Sequence, residues 1–303
     1  MDYKEFVEEV IEGHREKCGD GLEIEASRIK KINDTDYAGI IFNKEEEEEV
    51  TVSPILHLEP LYEAYTKGEM DVAGCIESLW RDYERNKEPE GIRENVKDIF
   101  CWDVARRKVY PMLLPVEWNR EMLPHLVSVP ALDLAVIFII RGTMPDGGYS
   151  TIKITKSMLE GYQVSSCQLY EAAMENLEND GYCFQDMEAL LKDMPKMEGT
   201  GAMGPDILKE KEMYVLTNAP QIYGAAGILN KKLVREFAGG RDFYILPSSL
   251  HETIFVQASV GDNIVDMNRM VTEVNGLQVA KEEWLSDHCY YYDGKADEIR
   301  MEP

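Results

Sequence analysis

Pro247-Ser248-Ser249-Leu250-His251-Glu252 is the stretch whose residue types come nearest to a catalytic set. In an extended chain Ser249 and His251 fall on one side, and Glu252 follows at once. Ser–His–acid chemistry needs the base hydrogen-bonded to the nucleophile and the acid orienting the base. Its usual surroundings are missing, because no Gly-x-Ser-x-Gly elbow holds the serine and no glycine-rich oxyanion loop precedes it. The plainer reading is a turn between two strands, with His251 opening the second.

Asp287-His288 is the next candidate. Together with His251 it would offer two imidazoles and a carboxylate to a metal ion. The chain has 5 histidines, and none are paired at the i, i+4 spacing of a helical metal site. Spacing alone therefore assigns no metal. Asp133 stands inside the apolar run ALDLAVIFII. A carboxylate there is costly unless it is paired or near a strand end. A turn after Pro130 or a pairing with Arg141 would satisfy it, and a structural role is the plainer one. It is still the first place to expect a perturbed pKa, and so a catalytic candidate.

Gly199-Thr200-Gly201-Ala202-Met203-Gly204 matches the dinucleotide-binding pattern letter for letter. That motif works only between a strand and a helix whose N-terminus meets the pyrophosphate. Here a helix end and Pro195 precede it and Pro205 follows, so it reads as a linker. No cofactor is implied.

The elements that must carry these residues come from a globular composition, 44% hydrophobic and 29% charged. With 57 Asp and Glu against 32 Lys and Arg, the net charge is −25. This balance repels nucleic-acid backbones and anionic membrane surfaces, and it favours solubility or a cationic partner. Arg106-Arg107-Lys108 and Lys30-Lys31 are too short to reverse it. The 6 cysteines are scattered without a C-x-x-C, as expected for reduced core thiols. MDYKEFVEEV lacks the basic start and apolar core of a signal peptide. Ala131 to Ile140 is about half the length of a membrane span. A cytoplasmic protein is expected.

Along the chain, helical spacing covers Tyr3 to about Lys17, and Cys18-Gly19-Asp20-Gly21 stops it. Period-two alternation at 22–26, followed by 37–42 and 50–58, predicts three antiparallel strands, with Glu45 to Glu49 as a solvated hairpin tip. Helices are expected near 61–65 and 72–83, and the polar stretch Asn86 to Gly91 marks a boundary. This gives a first subdomain at 1–88 and a middle portion at 89–198. The middle portion holds a helix around 92–100, then a segment, 109–126, that Pro111, Pro115 and Pro124 leave unassigned. A hairpin of Ala131–Arg141 with Ser150–Thr155 follows, then helices at 165–179 and 184–194 and a linker at 195–205. The last portion, 206–303, shares a core with the middle one in this reading. Its strands are 213–217, 243–246 and 253–256, and helices run over 229–237 and from Asp262 until Asn275-Gly276 ends the second. A hairpin pairs 289–292 with 298–301 across Asp293-Gly294, placing Tyr290 and Tyr292 on one face. The fold class is α+β with mostly antiparallel sheets.

The blocks MYVLTN, GAAGIL, DFYILPSSLHETIFV and SDHCYYYD, with ALDLAVIFII and the first helix, carry a family likeness. On them the chain resembles a bacterial family of unknown function, number 5688 of the domain-of-unknown-function series, over nearly its whole length. More distantly, its order of elements is similar to family 1444 of that series. The resemblance implies one shared architecture in cytoplasmic bacterial proteins. It carries over no activity, cofactor or catalytic residue. The leading expectation is a non-enzymatic acidic protein that binds a basic protein partner. The rival is a hydrolase-like small-molecule enzyme built on Ser249, His251 and Glu252.

Overall fold

A computed structural model describes residues 1–15, 22–44, 55–86, 99–143, 148–193, 212–247, 249–259 and 262–301. The glutamate run at 45–49, the helix read at 92–100 except its last two residues, and the glycine pattern at 199–204 lie outside the described residues. The chain divides into two compact units, Met1–Ile99 and Phe100–Pro303.

In the first unit, helix α1 (Tyr3–Arg15) starts with a reciprocal cap. Glu5 N–H donates to Asp2 Oδ1 at 2.9 Å, and Asp2 N–H donates to Glu5 Oε2 at 3.0 Å. Strands β1 (Leu22–Lys30), β2 (Asp36–Lys44) and β3 (Ile55–His57) pair antiparallel in that order. Helices α2 (Glu59–Thr66) and α3 (Val72–Asn86) follow. Phe6 and Val10 of α1, Ile40 and Phe42 of β2, and Cys75 and Leu79 of α3 form one apolar core. The buried His14 ring packs between Phe42 and Trp80, and its Nδ1–H donates to the Val10 carbonyl at 2.7 Å.

The second unit is built on two antiparallel sheets. In the four-stranded one, β6 (Leu134–Thr143) pairs with β4 (Val109–Pro115) along one edge, and with β5 (Ser128–Ala131) and β7 (Tyr149–Lys153) along the other. Every residue from Leu134 to Ile140 is buried. The proline-rich segment 109–126 opens as β4 and continues in short helical turns at 117–119 and 123–125. Strand β4 pairs only with β6, and an edge strand tolerates the missing N–H groups of Pro111 and Pro115. The apolar run 131–141 is not one strand: it breaks at Leu132-Asp133, a turn in which Leu132 takes φ +57°.

Helices α4 (Trp102–Ala105), α5 (Lys156–Tyr162) and α6 (Ser166–Glu178) surround this sheet. A capping box between Ser165 and Gln168 starts α6, and Leu169, Ala173 and Leu177 bury its inner face beside β4. The helix expected over 184–194 begins as a strand instead, β8 (Cys183–Asp186), before α7 (Met187–Asp193). Phe184 stacks on Phe237 at 3.6 Å, and pairing with the next strand gives β8 a ladder that a helix would forgo.

The six-stranded sheet comprises β8, β9 (Met213–Thr217), β10 (Phe243–Leu246), β11 (Thr253–Gln257), β12 (Tyr290–Asp293) and β13 (Glu298–Met301). Its order is β13-β12-β10-β11-β9-β8. Helix α8 (Lys231–Ala238) packs Phe237 against Phe243 and Phe255 on one face. Helix α9 (Ile264–Gln278) lays Met267, Met270 and Val271 against Tyr244, Leu246 and Val256 on the other. The helix runs past the expected stop at Asn275-Gly276, because Asn275 turns inward and donates to the Ser286 carbonyl at 2.7 Å. The fold class is α+β with antiparallel sheets. Among the described residues no helix is long and apolar enough to cross a membrane.

Candidate functional site

Every candidate site residue lies in the second unit, and the structure sorts them into two clusters. The first is the turn between β10 and β11. Ser249 Oγ accepts from the His251 backbone N–H at 3.0 Å, and Ser249 N–H donates to the Glu252 carbonyl at 3.4 Å. Thr217 Oγ1 donates to the His251 carbonyl at 2.9 Å. The imidazole Nδ1 accepts from Tyr223 N–H at 3.2 Å, and its ring stacks on the Tyr223 ring at 5.3 Å. With Nδ1 accepting, a neutral ring carries its proton on Nε2, which faces Glu283 Oε1 at 3.8 Å.

This arrangement holds backbone. Tyr223 sits at φ +52°, a region tyrosine disfavours, and His251 ties down its amide. Gly224 follows because nothing larger fits: a Cβ there would meet Thr217 Oγ1 at 2.4 Å and the His251 carbonyl at 2.5 Å. Ser249 is 8% exposed, and its Oγ serves a backbone amide and not the imidazole. Ser249 and His251 are therefore brought together as a turn, without the nucleophile–base hydrogen bond that acyl transfer requires. Burial pushes the Glu252 carboxyl above the usual range; His251 opposes this and Glu283 adds to it.

The second cluster joins Asp133 to the segment before β12. Tyr290 donates its hydroxyl to Asp133 Oδ1 at 2.8 Å across 157 residues of sequence. Asp133 Oδ2 lies 3.5 Å from His288 Nε2. The other imidazole nitrogen, Nδ1, is 2.8 Å from Asp287 Oδ1 and 3.2 Å from Ser286 Oγ. One imidazole thus stands between two carboxylates. Asn275 of α9 fixes Ser286, and Asn268 Oδ1 accepts from Cys289 N–H at 2.9 Å, so the helix sets the position of the whole segment. Tyr290 is fully buried, and burial together with Asp133 pushes its phenol well up.

Asp133 therefore does not pair with Arg141. That arginine makes a bidentate pair with Asp180, its Nη1 at 2.9 Å from Oδ2, and both side chains are under a tenth exposed. Asn218 donates to the same Oδ2 at 2.7 Å, and the Tyr110 ring lies 3.8 Å under the guanidinium. His251 and the Asp287-His288 pair do not converge on a metal: among the described residues no group of three His, Cys, Asp or Glu side chains is placed to hold one.

The functional partners that sequence reading missed are Tyr290, Glu283 and Tyr223. The sequence pattern gives Tyr290 only its side of the strand, and no local signal ties it to Asp133.

The model of a family of unknown function, DUF5688, matches residues 3–294. The chain belongs to that family. The match to DUF5688 covers both compact units. The expected distant likeness to family 1444 is not shown by this match. No curated protein and no solved structure matches the chain.

Proposed function

We propose that this DUF5688 protein is a non-enzymatic interaction protein that binds a basic protein partner through acidic surface. The observation that carries this reading is on α6. Glu171, Glu175 and Glu178 recur at i, i+4 and i+7, all exposed, opposite the buried face of Leu169, Ala173 and Leu177. No ion pair engages them among the described residues. Some exposed glutamates elsewhere do pair along their helices, as Glu12 does with Arg15 at 3.1 Å and Glu63 with Lys67 at 3.4 Å. Like charges four apart cost a helix about 0.2–0.5 kcal/mol per pair. A complementary cationic surface would turn that cost into attraction. The net charge of −25 supports the same reading through long-range steering.

We place the protein in a bacterial cytoplasm, in keeping with its five described cysteines being free thiols. Affinity capture from the native host tests the proposal. Wild type should retain a stoichiometric basic protein that elutes as salt rises, and a Glu171→Gln/Glu175→Gln/Glu178→Gln variant should retain less of it. Equal retention by both would overturn the reading.

A second reading, a small-molecule enzyme, is favoured by one observation: the Asp133–His288–Tyr290 cluster gathers an acid, an imidazole and a phenol. In that reading His288 moves the proton and Asp133 orients it. A hydrolytic activity that His288→Gln abolishes while Ser249→Ala and His251→Gln leave it intact would support it. Activity that survives His288→Gln would sink it.

A further inference from the structure

Besides these clusters the second unit holds a pocket of about 250 Å³. It lies where the β5–β6 turn, helix α8 and the β12–β13 hairpin meet. Its floor is aliphatic: Leu113, Leu134, Ile228 and Val234 are each under a tenth exposed. Leu132 and Ile299 form apolar walls nearer solvent, and Leu132 is 43% exposed in the left-handed backbone region at φ +57°. The pocket admits roughly eight waters at about 30 Å³ each, hence a ligand of about ten non-hydrogen atoms. That is smaller than a cofactor or drug-sized site.

The charged groups at this pocket narrow the choice of ligand. Asp297 is already satisfied: it accepts from the Tyr292 hydroxyl at 2.7 Å and pairs with Arg235 at 3.2 Å. Lys231 and Glu298 also line the pocket, both are exposed, and neither has an ion-pair partner among the described residues. The remaining character is one ammonium, one carboxylate and an aliphatic floor. From this we infer that the pocket binds a free α-amino acid with an apolar side chain. Lys231 meets its carboxylate, Glu298 meets its ammonium, and the side chain displaces water from Leu113, Leu134 and Val234. The size fits leucine or phenylalanine. The charge pattern favours an amino acid over a simple fatty acid, which would use Lys231 and gain nothing from Glu298.

Calorimetric titration of the full chain separates these chemistries. The probes are L-leucine, L-phenylalanine, 4-methylpentanoate and 3-methylbutylamine, each titrated alone. Either amino acid should bind best. Lys231→Gln should weaken leucine and 4-methylpentanoate about two- to fivefold, the range of an exposed ion pair, and leave the amine unchanged. Glu298→Gln should do the mirror image. Leu132→Asn removes an apolar wall with a residue that tolerates positive φ, so it should fold and bind leucine more weakly. No binding of any probe by wild type overturns the inference. So does leucine binding that is indifferent to Lys231→Gln and Glu298→Gln, or 4-methylpentanoate binding as tightly as leucine. Tyr170 of α6 also lines the pocket, but none of the substituted residues lies on that helix, so these outcomes leave the basic-partner proposal standing or falling on its own test.

Discussion

Tyr290 and Asp133 show what a single buried hydroxyl does in this fold. The phenol has no water to turn to, and its one donor goes to a carboxylate at a turn. Tyr290→Phe should lower stability by about 1–2 kcal/mol in urea unfolding, since a hydrogen bond to a charged group is worth about 1.5–3 kcal/mol and the solvent access of Asp133 reduces it. No change would mean that water or His288 fully replaces the phenol. Glu252 makes a prediction in pH. Its carboxyl is raised in the folded state, so the folded chain holds a proton that the unfolded chain has released. Stability therefore falls as pH climbs from the unfolded glutamate value of about 4.3 through the folded one. Glu252→Gln lacks that fall, so its stability relative to the parent should rise over this window and level off above it. A pH-independent difference between the two would contradict the assignment. At this scale the sequence was informative about cost and silent about partners. It marked Asp133 as a carboxylate needing relief. The phenol and imidazole that relieve it lie more than 150 positions away, and only the paired sheets bring them near.

Among the elements, the clearest were those whose pattern and ends agreed. The period-two alternation of β1, the extent of α6, and the β12–β13 hairpin with Tyr290 and Tyr292 on one face were all legible. Elements depart from the sequence pattern where packing overrides local signals: prolines are accepted on edge strand β4 in a segment without an assignment, a strand at 183–186 takes the place of the expected helix start, and α9 is carried through Asn275-Gly276 by a buried side-chain bond. The GAAGIL block is a helical turn at 224–229 pressed against the His251 loop. Gly224→Ala should therefore cost about 1–3 kcal/mol, the scale of overpacking, because the atoms it meets include backbone that cannot yield cheaply. Wild-type stability in this variant would show that the loop can move aside. The same packing explains the polar residues at 249–252: their hydrogen bonds close a turn and pin Tyr223.

Across the whole molecule, two compact units each carry their own core. Within the second, the Arg141–Asp180 pair links β6 of the four-stranded sheet to Asn218, just beyond β9 of the six-stranded one. Asp180→Ala should cost about 3–5 kcal/mol by leaving a buried guanidinium unpaired. An Arg141→Met/Asp180→Leu double variant should recover much of this, and thermal unfolding of the three proteins checks it. This link was invisible in the sequence, where Arg141 reads as the charged end of an apolar strand. The acidity was visible from the first, but only the structure shows which glutamates stand in a row.

That row is where the account is most open to test. Once a basic partner is captured, its dissociation constant should be measured against salt for wild type and for Glu171→Gln/Glu175→Gln/Glu178→Gln. Wild type should weaken steeply as salt rises, and the variant should bind more weakly at low salt and lose affinity on a shallower slope. Superimposable salt curves for the two proteins would contradict the claim that this face of α6 receives the partner.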